Sequence, residues 1–375
     1  MNTLKRLLSL LLALSLCMGL LPGFALAEEE EEEELSLDDF SFPDLEDYEL
    51  DELDLTITDE IQETIEDLDA WEIDTSVDPD SLEINTDLPD NIINILLIGI
   101  DSRSKVMEAD KGLQHNDVNM ILSINKDTGE LKLTSILRDL YVEIPGYKTK
   151  SRINNAYARG GGQLAMRTIN HNFNLNISSY VTINFFGLAS IIEAVGGIDV
   201  EMTKGEAYAI NAYIKKNPPA YDTKEHSERV PLEVVDGTQH LDGIQAVMYA
   251  RLRTGMKTGN GDFNRTARQR KLLELLLNKI MQDMTLSRFT ELVSISLEYV
   301  TTNVNASTMI SLGLAVLGSD IITRARSGEE LLQQHRVPMD KTYSYMDVEG
   351  ASVLNLSNDN WRINRDAVHA FMYGN

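Results

Sequence analysis

Residues 91–100 read Asn-Ile-Ile-Asn-Ile-Leu-Leu-Ile-Gly-Ile and end at Asp101. A nearly unbroken apolar run of this length has no face to give to water, so it reads as a strand in the interior of a sheet. A second strand is predicted at about 119–124 and a third at 131–137, joined through Asn125-Lys126-Asp127-Thr128-Gly129-Glu130 as a hairpin. Residues 153–173 read as a helix interrupted by Gly160-Gly161-Gly162. They are followed by a strand at 180–185, a helix at 187–195 stopped by Gly196-Gly197, and a short strand at 198–202.

Further along, 215–229 is polar, contains Pro218-Pro219 and reads as an exposed excursion. A short helix is expected at 242–248 and a long one at 264–284, with Leu272, Leu273, Leu276, Leu277, Ile280 and Met284 at helical spacing. Helices near 287–301 and 306–317, short strands at 334–337 and 352–356, and a last helix near 365–372 complete the pattern. Strands interleaved with helices that cover them predict an α/β fold, an α-β-α sandwich with a central mixed β-sheet.

Charge divides the chain differently. The 375 residues carry a net charge of −27, but residues 28–90 alone hold 29 Asp or Glu and no Lys or Arg. Residues 91–375 hold 31 acids and 31 bases, so the body is neutral and the low pI belongs to the tail. A neutral body argues against general nucleic-acid binding, which needs clustered surplus bases. The single cysteine, Cys17, lies near the N-terminus, which excludes a disulfide scaffold, a thiolate zinc site and a cysteine nucleophile in the body.

Lys5 and Arg6 precede an apolar run from Leu7 to Leu21, then Pro22-Gly23 and Ala25-Leu26-Ala27. This is the pattern of a secretory signal; residues 7–27 are also just long enough for an uncleaved signal anchor. Either way the body is expected outside the cytoplasmic membrane. Residues 28–90 open with seven Glu and are expected to be a mostly disordered acidic linker, with one short amphipathic helix at 58–71. The expected organisation is therefore 1–27 signal peptide or anchor, 28–90 linker and 91–375 catalytic domain.

The chain contains no P-loop, no H-E-x-x-H and no G-x-S-x-G. Its candidate chemistry lies at strand ends. Asp101 follows the first strand, Asp117 precedes the second and Arg138 follows the third. The hairpin brings Asp117 toward Arg138, and Asp101 joins them if the first strand runs antiparallel to the second. Two carboxylates near an arginine suit a hard cation bridging to phosphate oxygens; strand caps and plain ion pairs would use the same residues. A second cluster, Tyr249-Ala250-Arg251-Leu252-Arg253 with Gly261-Asp262-Phe263-Asn264-Arg265 and Arg268-Gln269-Arg270, offers guanidinium forks for a pyrophosphate, or a solvated basic face.

Across residues 91–285 these motifs occur in an order that resembles the LytR–CpsA–Psr family of exported glycopolymer phosphotransferases. The pieces are Gly99-Ile100-Asp101-Ser102-Arg103, Ser135-Ile136-Leu137-Arg138-Asp139, Ile153-Asn154-Asn155-Ala156-Tyr157, Val195-Gly196-Gly197-Ile198-Asp199, Leu241-Asp242-Gly243 and the two arginine clusters. Residues 286–375 would be a C-terminal extension. The resemblance implies that Asp101 and Asp117 hold Mg2+, and that Arg138, Arg251, Arg253 and Arg265 contact the pyrophosphate of a polyprenyl-linked glycan, with Arg103 and Gln269 lining the site. It further implies transfer to a peptidoglycan hydroxyl at the membrane surface. The chain departs from the family pattern at His115-Asn116-Asp117-Val118, where Arg-Ser-Asp-Thr is frequent, and at Leu137, where Pro is usual. The altered His115-Asn116 stretch keeps in play a secreted lipid- or glycan-binding module with a decayed site, and a third reading, a pyrophosphatase that releases the glycan to water, differs only in what attacks.

Overall fold

The computed structural model describes residues 74–100, 116–216, 229–253, 261–282, 299–304 and 321–374. The expected signal segment, the helix at 58–71, nearly all of the excursion at 215–229 and the helix at 306–317 lie outside these residues.

The centre is a six-stranded mixed sheet in the order β10-β3-β2-β1-β6-β9. Its strands are β1 (Ile92–Ile100), β2 (Asn116–Asn125), β3 (Leu131–Ile136), β6 (Ser179–Asn184), β9 (Val300–Thr302) and β10 (Leu332–Val337). β1 pairs antiparallel with β2 and parallel with β6, β2 pairs antiparallel with β3, and β3 parallel with β10. Hence β1, β3, β6 and β10 all point the same way, and their carboxyl ends line one edge. The hairpin turn forms because the Asn125 side chain accepts from the backbone N–H groups of Asp127 and Thr128, and Gly129 supplies a φ of 67°.

The apolar run of β1 divides between two cores. Ile93 and Ile95 face one, Leu96, Ile98 and Ile100 the other. The first is covered by α2 (Phe185–Ala194), α3 (Lys204–Lys216), α4 (Gly243–Arg251) and α5 (Gly261–Gln282); the second by α1 (Asn154–Phe173) and α7 (Asn358–Tyr373), while α6 (Ile321–Ser327) packs beside α5. This is the expected α-β-α sandwich. α1 is interrupted at Gly160 and Gly161, whose backbone angles leave the helix, and Gly162 lies so close to the Tyr180 ring that a Cβ there would collide with it. Three two-stranded ribbons are added: β4 (Tyr141–Val142) with β5 (Ser151–Arg152), β7 (Ile198–Met202) with β8 (Gly237–Leu241), and β11 (Ser344–Val348) with β12 (Ala351–Asn355).

Two expectations are corrected. Residues 74–90, read as the end of a disordered linker, are packed on the body. The Asp74 N–H donates to the Thr302 carbonyl at 2.7 Å, the Tyr180 hydroxyl donates to the Asp74 carboxylate at 2.5 Å, and Leu82 is completely buried. Burying one leucine contributes about 1.5–3 kcal/mol, which anchors this stretch despite its acids. The helix expected through 301 gives way at Val300, because 300–302 pair with β6 as an edge strand.

Candidate active site

The site forms where β1, β3 and β6 end. Gly99 opposes Val118 while Ile100 opposes Asn116, so Asp117 is the extra residue of a β-bulge. A bulge re-aims the side chain it carries, and here that side chain is a carboxylate. Met120 opposes Ser135, so three residues further out Asp117 lies level with Arg138. The expected approach is realised: Arg138 Nη1 stands 2.5 Å from Asp117 Oδ1.

α5 supplies the rest. Its second residue, Asp262, lies 3.2 Å from Nη2 of Arg265 one turn on. The same Asp262 Oδ1 is 3.5 Å from Arg138 Nη2 and 3.8 Å from Arg253 Nε. Arg265 also reaches Asp117 Oδ2 at 3.4 Å. Arg138, Arg253 and Arg265 therefore converge on Asp117 and Asp262. Asp139 extends the network, 3.5 Å from Arg138 Nε and 3.3 Å from Arg152 Nε.

Burial would raise the Asp117 carboxyl, but the guanidinium groups of Arg265 and Arg138 outweigh it and hold the group below its ordinary value. Burial pulls Arg265 down, and Asp117 only partly restores it; Arg138 is raised because Asp117, Asp139 and Asp262 together overcome its desolvation. Among the described residues the Nε atoms of Arg138 and Arg265 are buried without a hydrogen-bond acceptor. Such donors have capacity left for an anion.

Beside this cluster a narrow apolar cavity opens between the sheet and α5. Leu97, Val118, Leu188, Leu272, Leu273 and Leu276 line it, and its polar contributions come from Asn184 and Gln269. Gln269 thus stands one helical turn beyond Arg265, between the charged cluster and the apolar chamber. Arg251 ends α4, and its guanidinium stacks over Phe185, another cavity residue, at 4.5 Å.

Arg268, inside the same motif, is not part of the clamp. It is fully buried and paired with Glu206 at 2.7 Å, and its Nη1 donates to the Leu252 carbonyl. That contact fixes the chain between Arg251 and Arg253. Asp101, Arg103 and His115 lie outside the described residues. Sequence reasoning gave no role to Asp262, although its spacing of three residues from Arg265 on a helix start was the available signal.

Asp117 provides the hard carboxylate oxygens that magnesium takes. Among the described residues no group of three His, Cys, Asp or Glu gathers around a point. Of the two residues expected to hold magnesium, Asp117 is described, with its two oxygens facing Arg138 and Arg265, and Asp101 is not.

The family model of the LytR_cpsA_psr family matches residues 57–361. The chain belongs to the LytR–CpsA–Psr family. Among its LytR–CpsA–Psr relatives is an Enterococcus faecalis protein named polyisoprenyl-teichoic acid–peptidoglycan teichoic acid transferase TagU, 30% identical over 251 residues, covering 65% of this chain and 74% of that one. Another is the Streptococcus mutans biofilm regulatory protein A, 30% identical over 220 residues, covering 57% of this chain and 50% of that one. The LytR–CpsA–Psr fold is shared with Bacillus subtilis TagV (TM-score 0.54, 22% identity, 76% of this chain and 98% of that one). It is also shared with YwtF (TagT), whose structure holds octaprenyl pyrophosphate (TM-score 0.51, 20% identity, 76% and 91%). The LytR–CpsA–Psr match starts at 57 and runs well past 285, so residues 286–361, expected to be an extension, are part of the family domain.

Proposed function

We propose that this protein is an exported phosphotransferase that moves a glycan with its adjoining phosphate from a polyprenyl-pyrophosphate carrier to a peptidoglycan hydroxyl. The observation that carries this reading is the convergence of Arg138, Arg253 and Arg265 on two carboxylates, one helical turn from Gln269 in the lining of an apolar cavity. A lipid pyrophosphate is part dianionic headgroup and part hydrocarbon, and it needs both halves of such a site side by side. The name of the Enterococcus relative and the lipid held by YwtF point the same way.

In this reading the acceptor oxygen attacks the phosphorus nearest the glycan. The bond from that phosphorus to the bridging oxygen breaks, and polyprenyl phosphate leaves with the bridging oxygen. The hydroxyl proton passes to a carboxylate, Asp101 or Asp117; the lowered pKa of Asp117 suits it better to staying charged than to accepting a proton. Arg138, Arg253 and Arg265 neutralise charge on the phosphoryl oxygens, the main work in transfers of this kind. Gln269 marks where headgroup gives way to tail, and Arg251 and Arg103 complete the lining. Asp101 and Asp117 would hold magnesium, which supplies further neutralisation of the phosphoryl oxygens. Residues 1–27 carry the domain to the outer membrane surface, where the lipid resides.

The test is a purified reaction of the protein with a glycan-bearing polyprenyl pyrophosphate, magnesium and peptidoglycan. Glycan appearing on peptidoglycan with release of polyprenyl phosphate supports the reading. Lipid retained without turnover would make the protein a binding module, and free glycan phosphate would make it a pyrophosphatase.

A further inference from the structure

At the start of α5, next to Asp262, begins a row of aromatic rings that the proposed chemistry does not use. The Phe263 ring stacks on Tyr343 at 5.1 Å and 24°, and Tyr345 meets Tyr343 edge-on at 5.8 Å and 87°. Arg336, next to the carboxyl end of β10, lays its guanidinium 4.4 Å over the other partner, Phe263, and pairs with Asp340 at 2.5 Å. Tyr345 is 60% exposed, so the row runs from a buried ring beside Asp262 to open solvent.

The row is tied to the clamp. Tyr345 lies on the β11–β12 ribbon, whose Leu354 N–H donates to the Asp139 carbonyl at 2.8 Å. Arg152 donates to the Ser352 carbonyl of the same ribbon at 2.9 Å while standing 3.3 Å from the Asp139 carboxylate, itself paired with Arg138. Along α5 the order is Phe263, Arg265, Gln269, then the cavity leucines, at a rise of about 1.5 Å per residue. A lipid-linked glycan has the reverse order: tail, pyrophosphate, sugar. With the tail in the cavity and the phosphates at Arg265, the first sugar would come off at the start of α5, the end of the helix at which Phe263 and the tyrosine row stand.

We propose that Tyr343, Tyr345 and Arg336 form the subsite for a pyranose ring of the donor glycan, an assignment that rests on the lipid-pyrophosphate reading above. A pyranose presents a face of C–H groups that packs on the negative face of an aromatic ring. Its hydroxyls need donors and acceptors, which the tyrosine hydroxyls, Arg336 and Asp340 supply.

The experiment compares dissociation constants of the full-length protein for octaprenyl pyrophosphate and for the same lipid carrying one N-acetylglucosamine. The expected result is about tenfold tighter binding of the sugar-bearing lipid. In Tyr345→Ala and Arg336→Gln that ratio falls toward one, while the dissociation constant for the bare lipid stays within about twofold. Tyr345 is exposed, so its replacement leaves the fold intact. An unchanged ratio in both variants, or no preference for the sugar-bearing lipid in the wild type, would overturn the subsite. Weakened binding of a soluble peptidoglycan fragment with an unchanged ratio would assign the row to the acceptor and likewise overturn it. Failure of the wild type to bind even the bare lipid contradicts the functional reading and takes the subsite with it, whereas an unchanged ratio removes the subsite alone.

Discussion

Arg268 and Glu206 meet at 2.7 Å with both side chains shut away from water, and the same guanidinium holds the Leu252 carbonyl. Removing one partner of a buried ion pair leaves the other charge uncompensated. Arg268→Ala should therefore cost about 3–5 kcal/mol of stability, measured by urea unfolding. Retention of wild-type stability would show that the pair is not buried in solution. The residue sits inside the arginine motif, yet its work is structural: it sets the backbone from which Arg251 and Arg253 project.

Asp262 touches three guanidinium groups of the clamp. Asp262→Asn should leave stability within about 1 kcal/mol, since the residue is a third exposed. Transfer should fall about a hundredfold, because the arginines lose their common anchor and small displacements of this kind are costly. Steady-state transfer rates beside a melting curve separate the two effects.

Leu273 borders the cavity from α5. Leu273→Trp fills space the tail needs without adding a polar atom. Binding of octaprenyl pyrophosphate should weaken at least tenfold while a short-chain pyrophosphate is bound as before. Unchanged affinity for octaprenyl pyrophosphate in the variant would place the tail elsewhere.

His335 lies in β10 against Phe371, its Nε2 buried with no hydrogen-bond partner among the described residues. Burial, then Arg270 and Arg336, lower its pKa from the usual 6.5. The unfolded chain therefore binds this proton more readily than the folded one. Stability is full above about 6.5 and declines as pH falls from there through the lower folded value. His335→Gln should flatten the fall in melting temperature between pH 7 and pH 5; an identical slope in the variant contradicts the assignment.

The meeting of Asp117 and Arg138 was legible before any coordinates, because a hairpin of known turn fixes which residues are level at its open end. The apolar β1 run likewise announced two covered faces. The bulge was not legible: it depends on the register between β1 and β2, which no local pattern encodes. Leu82 is a lone apolar residue among acids, and composition hid its place in the core. The β11–β12 ribbon showed only its second strand, since residues 344–348 are largely exposed or half-buried and carry no apolar alternation. Arg336 and Tyr345 came into view only once that ribbon was docked on the Asp139 loop.

The central claim is that one group of arginines holds a pyrophosphate whose hydrocarbon tail enters the neighbouring cavity. The most direct measurement is calorimetric titration of octaprenyl pyrophosphate and of the uncharged polyprenol into the wild type and Arg138→Ala/Arg265→Ala. The account predicts that the wild type prefers the pyrophosphate by at least a hundredfold, and that the double variant loses this preference while still binding the polyprenol. A double variant that keeps the full preference would contradict it.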